Sequence, residues 1–242
     1  MTNETNEYQP VISLPVLDKG FIKLLNISGP VRRKDKLFDA CSTDIAISAR
    51  RSFDNQEIEK THEENIRLLN YLISNHHNTP VEMIELWIEM KLPIFVARQF
   101  VRHRTATINE VSARYVELPS DWYVPSQVGK SSEKVKQGRS GNVNFLLRWM
   151  FRSYVNITSF TRYQFYKFFC LLGVAREQAR MILGLNHYTS WLWKQDLHNL
   201  MWFLKLRLHA HAQQEAREYA IALNTILKQF LPEVIKHLEE KK

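Results

Sequence analysis

The sequence predicts an α+β fold in which several helices pack around a small antiparallel sheet. The first observation is a strict alternation of apolar and polar side chains over residues 84–92, which is typical of a half-buried strand. The second is an apolar stripe at helical spacing over residues 55–75. The third is a pair of long helical segments in the second half of the chain, at residues 143–172 and 196–230.

Local signals place the elements of the first half of the chain. Asp54 or Asn55 caps the helix of residues 55–75, and Pro93 ends the alternating strand and starts a short helix. In chain order the sequence predicts a flexible lead-in at 1–15, a strand at 19–29, one or two short helices at 36–51, the helix at 55–75, the strand at 84–92 and a helix at 94–101. Residues 16–242 are expected to form a single domain.

The second half of the chain starts without a helical stripe and ends in long helices. Gly173 ends a helix rich in aromatic residues, and Asp196 caps the last long helix. In chain order the sequence predicts a loop with a short extended segment at 102–115, a polar and mobile loop at 126–144, a helix at 143–172, a second helix at 176–183, a strand at 186–195 and one long helix from 196 to about 230.

The composition is that of a soluble globular protein with basic character. The chain has 242 residues, of which 45% are hydrophobic and 24% charged, and a formal net charge of +8, which favours anionic partners. Its two cysteines, Cys41 and Cys170, suit a reducing compartment. The first ten residues do not resemble a signal peptide, and no apolar stretch approaches the ~18 residues of a membrane helix. We therefore expect a cytoplasmic protein without membrane contacts.

A dense group of polar side chains follows the predicted helix at 94–101. It consists of Gln99, Arg102, His103, Arg104, Asn109, Glu110, Ser112 and Arg114. Arginine side chains bind phosphate through paired hydrogen bonds, and Glu and Gln can bind a base edge or a ribose hydroxyl. Ser112 has no evident Ser-His-Asp partners, so we interpret it as a ligand donor and not as a nucleophile. The group favours a phosphorylated heterocyclic ligand, with a solvated basic loop as the alternative.

The same segment carries a family motif. Arg102-His103-Arg104, seven free positions and then Ser112 resemble the signature of the flavin-dependent thymidylate synthases. Other segments resemble the family in the same order along the chain, namely 17–25, 48–53, 76–83, 93–99, 179–189 and 200–215. The resemblance extends over residues 16–230, and it implies the fold of that family.

The resemblance implies an enzyme that methylates deoxyuridylate (dUMP) to thymidylate (dTMP). It implies a tightly bound FAD that NADPH reduces, methylenetetrahydrofolate as the one-carbon donor, and the reduced flavin as the hydride donor. No cysteine attacks the pyrimidine in this family, and neither cysteine here lies in a basic or His-rich setting that would generate a thiolate. The resemblance also implies a homotetramer in which each active site contains residues of more than one subunit.

Site residues follow from the resemblance position by position. Arg207 would lie against the uracil ring and favour loss of the N3 proton, and His77 would lie near the flavin and the folate. The dUMP pocket would contain Gln99, Phe100, Val101, Arg102, Glu110, Val111, Ser112, Ala113, Arg114, Arg180 and Arg207. The FAD site would contain Thr79 from another subunit, together with Arg102, His103, Arg104, Glu110, Asp196, Leu197, His198 and Trp202.

A few positions depart from the best-known pattern of the family. Val81 and Met83 stand where Phe and His are expected, Trp202 replaces a smaller polar residue, and Gln214 stands where Trp is usual. Residues 196–199 differ from the Asn-Ala-Arg-Ser of some members but resemble others. None of these positions belongs to the Arg-His-Arg and Ser signature.

Simpler interpretations exist for several of these features. Arg207, His211 and Glu215 are spaced by four residues and also suit a surface ion-pair row on one helical face. His76 and His77 also suit the negative end of a helix dipole. No metal site is expected, because the side chains of His209 and His211, two residues apart, would point to different sides of a helix.

The aromatic residues of the helix at 143–172 favour either the core or a subunit interface. The rival function is that of a basic nucleic-acid-binding protein without catalysis, based on the charge of +8 and on Arg102-His103-Arg104. No nucleic-acid partner is expected, because the sequence contains neither a one-sided basic helix nor a recognition motif.

Overall fold

A five-stranded antiparallel sheet lies at the centre of the molecule. The computed structural model describes residues 13–30, 42–53, 60–132 and 138–240. The strands of the sheet are β1 (Ser13–Val16), β2 (Gly20–Ser28), β3 (Glu85–Pro93), β4 (Thr107–Glu110) and β7 (Tyr188–Asp196), and a separate hairpin consists of β5 (Gly129–Ser131) and β6 (Arg139–Asn142). The order in the sheet is β1-β2-β3-β7-β4, and each pairing is antiparallel. The α+β class with a small antiparallel sheet is confirmed.

The central strand β3 has one apolar face and one mixed face. Leu86, Ile88, Met90 and Leu92 are fully buried, whereas the side chains between them are partly exposed. Alternate residues of a strand point to opposite faces, which is why the alternation in the sequence predicts this position. The strands predicted at 19–29, 84–92 and 186–195 are confirmed to within two residues.

Helices cover the apolar face of the sheet and flank it. They are α1 (Ser42–Arg50), α2 (His62–Ser74), α3 (Thr79–Glu82), α4 (Ile94–Phe100), α5 (Phe145–Leu171), α6 (Arg176–Ala179), α7 (Leu197–Arg207), α8 (Gln214–Phe230) and α9 (Pro232–Glu240), with 3-10 turns at Arg51–Phe53 and Arg180–Ile182. Helix α8 packs against β1 and β2, and α4 packs against β3, β7 and α8. The predicted helices at 94–101 and 143–172 are confirmed.

The ends of some elements differ from the sequence expectation. Helix α2 begins at His62, because Thr61 caps it through a capping box with Glu64. The alternative caps at 54 and 55, and residues 36–41 and Cys41, lie outside the described residues. Strand β1 includes residues 13–15, which the sequence predicts to belong to the lead-in, and residues 1–12 of that prediction lie outside the described residues.

Two further segments differ in type. The segment predicted as a helix at 176–183 is one α-helical turn followed by a 3-10 turn. The segment predicted as a loop at 126–144 contains the β5–β6 hairpin, whose residues 133–137 lie outside the described part of the chain. The predicted loop at 102–115 with an extended segment is confirmed by β4.

The prediction of one long helix from 196 to 230 is wrong, since α7 and α8 occupy this segment. Asp196 caps α7 as expected, by accepting a hydrogen bond from the Asn199 N–H at 2.9 Å. The chain leaves the helical conformation after Arg207 and reaches Gln213 with φ −56° and ψ 132°. Residues 197–231 contain neither glycine nor proline, so tertiary contacts and not a local signal break the helix.

A cluster of aromatic rings joins the sheet to α4, α7 and α8. Phe100 lies edge-on to Phe203, with ring centroids 4.8 Å apart, and Trp193 of β7 lies 4.9 Å from Phe203. Tyr219 of α8 lies edge-on to Phe100 at 6.2 Å, and its hydroxyl donates to the Lys91 carbonyl at 2.5 Å. These contacts fix the C-terminal ends of α4 and α7 relative to each other.

Helix α5 lies largely outside this core. Asn144 caps it, and Gly173, with φ +88°, follows its end as predicted. Of its residues only Ser159 and Tyr166 are buried, and Trp149, Tyr154 and other aromatic residues are more than half exposed. Most aromatic residues of α5 therefore do not belong to the core of this chain, and the alternative of a subunit interface stays a prediction. Among the described residues, no helix has the length and apolarity needed to cross a membrane.

Candidate active site

The ends of α4 and α7 bring one group of predicted site residues together. The Arg207 guanidinium donates through Nη2 to the Gln99 carbonyl at 3.0 Å, and the same nitrogen lies 3.2 Å from Nε2 of His103. The His103 ring lies edge-on to Phe203 at 4.9 Å. Since the aromatic cluster fixes both helices, the Arg207 and His103 side chains and the backbone carbonyl of Gln99 are held in one arrangement before any ligand binds.

Burial sets the protonation state within this group. Desolvation, reinforced by the neighbouring Arg207 charge, lowers the pKa of His103 to about 4. The imidazole is therefore neutral near pH 7, and its Nε2 accepts the hydrogen bond from Arg207. Burial also lowers the pKa of Arg207, although a guanidinium remains charged in proteins. Its Nε is buried and has no partner among the described residues.

This unpaired donor indicates a function for Arg207 beyond stability. Leaving a buried N–H without an acceptor costs about 1–3 kcal/mol. Shifted pKa values and unsatisfied charged groups cluster where proteins bind ligands or perform chemistry. The cation next to a neutral imidazole is therefore a candidate for stabilising negative charge on a ligand.

A second group of predicted residues lies between the end of β4 and α6. Arg114 forms an ion pair with Glu177, with Nε 3.3 Å from Oε2, and Arg180 donates to the Glu177 carbonyl at 3.3 Å. The Ser112 hydroxyl accepts a hydrogen bond from the Arg114 N–H at 3.3 Å. Glu110, one residue before this turn, accepts from the Thr189 hydroxyl at 2.5 Å. Exposed arginines and a hydroxyl in this geometry suit a phosphate group.

The two groups are separate in the single chain. In the described part of the chain, no hydrogen bond or ion pair joins the Arg207 group to the Ser112 and Arg114 group. Arg102 and Arg104 are exposed. Four apolar positions of the predicted dUMP pocket divide into two buried side chains, Phe100 and Ala113, and two exposed ones, Val101 and Val111.

A third feature is a cavity of about 540 Å³ between α7, α9 and the end of α2. Trp202 and His198, both predicted FAD residues, line it together with Asn78, Lys205 and His237. The Trp202 side chain is 54% exposed, and the Lys205 ammonium lies 5.6 Å from the centre of its ring. A flat indole beside a cation matches an aromatic ring that carries a phosphate.

The remaining predicted residues do not line this cavity, although their chain neighbours His76, Asn78 and His198 do. Thr79 and His77 are exposed, and the His77 ring stacks on Tyr71 at 5.9 Å. Asp196 is engaged as the cap of α7, and Leu197 is fully buried. Contacts of Asp196 and Leu197 with a cofactor therefore stay predictions.

The departures from the family pattern are spread over the molecule. Val81 is buried and lines the cavity, whereas Met83 is 51% exposed. Gln214 is exposed and donates to Glu218 at 3.1 Å, one turn further along α8. Of these positions, Val81 and Trp202 border the cavity, as do His198 and Asn199 of the segment 196–199.

The sequence analysis missed the role of one carboxylate. Glu215 is 6% exposed and accepts hydrogen bonds from Arg139, Tyr123 and Gln213. The proposed surface row of Arg207, His211 and Glu215 is therefore wrong, because the break between α7 and α8 removes their shared helical face. The available signal was the position of Glu215, which lies one turn before Tyr219 on the apolar face of α8.

Comparison with known proteins decides the family. The family model of the thymidylate synthase complementing protein matches residues 36–233 of the chain. The chain belongs to the flavin-dependent thymidylate synthase family. The flavin-dependent thymidylate synthase of Thermus thermophilus is 41% identical over 221 residues, which cover 91% of this chain and 76% of the relative. That of Ehrlichia ruminantium (strain Gardel) is 40% identical over 219 residues, covering 90% of this chain and 69% of the relative.

Solved structures agree with the flavin-dependent thymidylate synthase assignment at the level of the fold. The UMP/dUMP methylase PolB from Streptomyces cacaoi, solved with 5-Br UMP, superposes with a TM-score of 0.77 at 23% identity. The match covers 90% of this chain and 92% of that chain. The described residues contain no group of three or more His, Cys, Asp or Glu side chains that could hold a metal ion.

Proposed function

We propose that this protein methylates dUMP to dTMP with a reduced flavin as hydride donor. The observation on which this rests is the half-buried Arg207 cation, held by Gln99 and His103 in a chain of the flavin-dependent thymidylate synthase family. The one-carbon donor is methylenetetrahydrofolate, and NADPH supplies the two electrons that convert its methylene group into the methyl group of dTMP. Tetrahydrofolate and NADP⁺ leave as the other products.

Arg207 acts on the pyrimidine. A fixed cation beside the uracil ring stabilises negative charge that develops when the N3 proton is lost. Because the Gln99 carbonyl and the neutral His103 ring already hold the guanidinium, little reorganisation is needed when the substrate binds. The Ser112 hydroxyl and the Arg114 guanidinium bind the phosphate of dUMP, with Arg180 beside them.

The cavity bordered by Trp202 suits part of FAD. Its volume of about 540 Å³ falls within the range of ligand sites, and the exposed indole offers a stacking surface for a flat ring. Lys205 and His198 add polar groups at the same wall. Thr79, Arg102, His103 and Arg104 would complete the binding of FAD. The cofactor, when bound and reduced, supplies the hydride.

Each active site combines residues of more than one subunit of a homotetramer. Two features support this proposal. The Arg207 group and the Ser112 and Arg114 group share no hydrogen bond or ion pair within the described part of one chain. Helix α5 also exposes a large aromatic surface, with Trp149 59% and Tyr154 68% exposed, as expected for a helix covered by another subunit.

The test is thymidylate formation by the purified protein. We expect a yellow protein that converts dUMP to dTMP only when FAD, NADPH and methylenetetrahydrofolate are all present. Replacing Arg207→Ala should lower kcat by about 10²–10³-fold, the usual loss when one preorganised charge donor is removed. The matched control is Arg67→Ala, on the exposed face of α2, which should retain activity.

Two outcomes would overturn the proposed function. One is a folded protein that binds FAD but produces no dTMP with the complete set of substrates. The other is a colourless protein that binds DNA or RNA with an affinity that falls steeply with salt, which is the behaviour expected of the rival function.

A further inference from the structure

A chain of hydrogen bonds connects a buried carboxylate of α8 to the Arg207 group. Glu215 accepts from the Gln213 side-chain amide at 3.0 Å, through Oε2. The carbonyl oxygen of the Gln213 side chain accepts in turn from the Gln99 side-chain amide. The backbone carbonyl of Gln99 then accepts from Arg207 at 3.0 Å. The network therefore runs from the interior to a residue of the proposed dUMP pocket.

The carboxylate determines the direction of this network. An ionised carboxylate only accepts hydrogen bonds, so the NH₂ end of Gln213 must point toward Glu215. The side-chain carbonyl of Gln213 then points toward Gln99, so the side-chain NH₂ group of Gln99 must donate the hydrogen bond between them. One carboxylate thus removes the two-fold ambiguity that a pair of amide side chains would otherwise have. The carbonyl oxygen of the Gln99 side chain is left for a ligand.

Glu215 itself is held in place from two other elements. Arg139 of β6 contacts its Oε1 at 3.0 Å, and the Tyr123 hydroxyl lies 3.3 Å from the same oxygen. Burial and the adjacent Glu215 charge raise the pKa of Tyr123 well above its ordinary value, so its hydroxyl stays protonated as a donor. These two contacts hold the carboxylate of Glu215, which is 6% exposed, in one orientation.

We infer that Glu215 is a positioning residue for the substrate pocket, which acts through Gln213 to fix the orientation of the Gln99 amide. The inference rests on the proposed function for the identity of the ligand, dUMP. The break between α7 and α8 places Gln213 before the first turn of α8, in a non-helical conformation. From this position its side chain contacts both Glu215 and Gln99.

The central test compares Glu215→Gln with Arg139→Gln. A glutamine at position 215 retains the shape but can donate or accept, so the Gln99 amide loses its fixed orientation. We expect the KM for dUMP to rise ~10-fold with kcat changed less than ~3-fold, since about one hydrogen bond to the substrate is lost. Arg139→Gln removes the ion pair but leaves the Glu215–Gln213 contact, so its KM should stay within ~2-fold of wild type.

Two further variants separate orientation from folding. Gln213→Leu cuts the network at an exposed position while Glu215 keeps Arg139, and it should raise KM as much as Glu215→Gln. The double variant Gln213→Glu with Glu215→Gln places an acceptor-only carboxylate directly beside the Gln99 side-chain amide. It should recover KM to within ~3-fold of wild type, although it lacks the Arg139 ion pair as Glu215→Gln does.

A readout without ligand keeps this inference separate from the proposed function. In wild type labelled with ¹⁵N-glutamine, NMR should show slow hydrogen exchange of the Gln99 and Gln213 side-chain amides, and Glu215→Gln should abolish it. A wild-type protein that binds no dUMP would contradict the proposed function, and the amide signals would still decide the inference. Two outcomes would overturn the inference. One is an equal increase of KM in Arg139→Gln and Glu215→Gln, and the other is a Gln213→Leu variant in which KM and the exchange of the Gln99 side-chain amide are both unchanged.

Discussion

Acidification should destabilise the protein through one buried histidine. His187 is 2% exposed, its ring stacks on Tyr163 at a centroid distance of 6.2 Å, and its Nε2 has no partner among the described residues. Burial lowers its pKa to about 4, although the nearby Asp121 carboxylate opposes the shift. The folded protein therefore holds this imidazole in its neutral form, whereas an unfolded chain protonates it near pH 6.5.

The sign and size of the effect follow from these two pKa values. Between pH 6.5 and pH 4 the unfolded state binds the proton and the folded state does not, so stability is lost as the pH falls. With values of about 4 and 6.5, the contribution of this one group falls by about 2 kcal/mol between pH 7 and pH 5. The full loss, below pH 4, would be about 3 kcal/mol.

The assay is guanidinium unfolding at pH 7 and pH 5, at one fixed protein concentration. His187→Phe retains a ring against Tyr163 and should lose about 2 kcal/mol less than wild type between the two pH values. A constant cost of the substitution cancels, since each variant is compared with itself. His62→Gln, on an exposed histidine of α2, should behave like wild type. Equal losses in His187→Phe and wild type would refute the assigned role of His187.

Three other substitutions test the architecture and the cavity. Gly20→Ala should destabilise the fold by about 1–3 kcal/mol in guanidinium unfolding, because its new Cβ would lie 2.1 Å from the Tyr219 hydroxyl and 2.7 Å from the Lys91 carbonyl oxygen. Asp196→Ala should cost about 1 kcal/mol in the same assay through loss of the α7 cap, and an unchanged midpoint would contradict that role. Trp202→Ala should weaken FAD binding by ~10-fold, since one stacking surface is lost. The measurement is flavin absorbance per chain in a titration, and full retention of FAD would exclude stacking on this indole.

Much of the fold could be predicted from the spacing of apolar residues and from the residues that end or cap helices. The alternation of β3 follows its burial over residues 85–92, because β7 pairs with its full length and β2 pairs with residues 85–91. Gly173 and Asp196 mark helix ends where expected, since left-handed backbone and helix capping are local requirements. The signature Arg102-His103-Arg104 with Ser112 indicates the family from the sequence alone, without knowledge of any contact between residues.

The break between α7 and α8 could not be predicted in this way. Residues 208–213 are compatible with a helix by local propensity, and the hydrogen bonds made next to the break, at Glu215, come from β6 and from the segment before β5, far away in the sequence. The same distance in sequence hid Glu215, whose partner Arg139 is 76 residues away. Likewise, the sequence placed Gln99 and Arg114 in one group, although the structure engages them in separate contacts.

The two outer strands of the central sheet are short. Strands β1 and β4 have four residues each, whereas the inner strands β2, β3 and β7 have nine. Within the described residues, these two strands therefore offer few unpaired backbone N–H and C=O groups to recruit a strand from another molecule, which limits edge-to-edge aggregation. In the homotetramer proposed above, we therefore expect the copies to associate through helix surfaces, where side-chain shape restricts which partner fits.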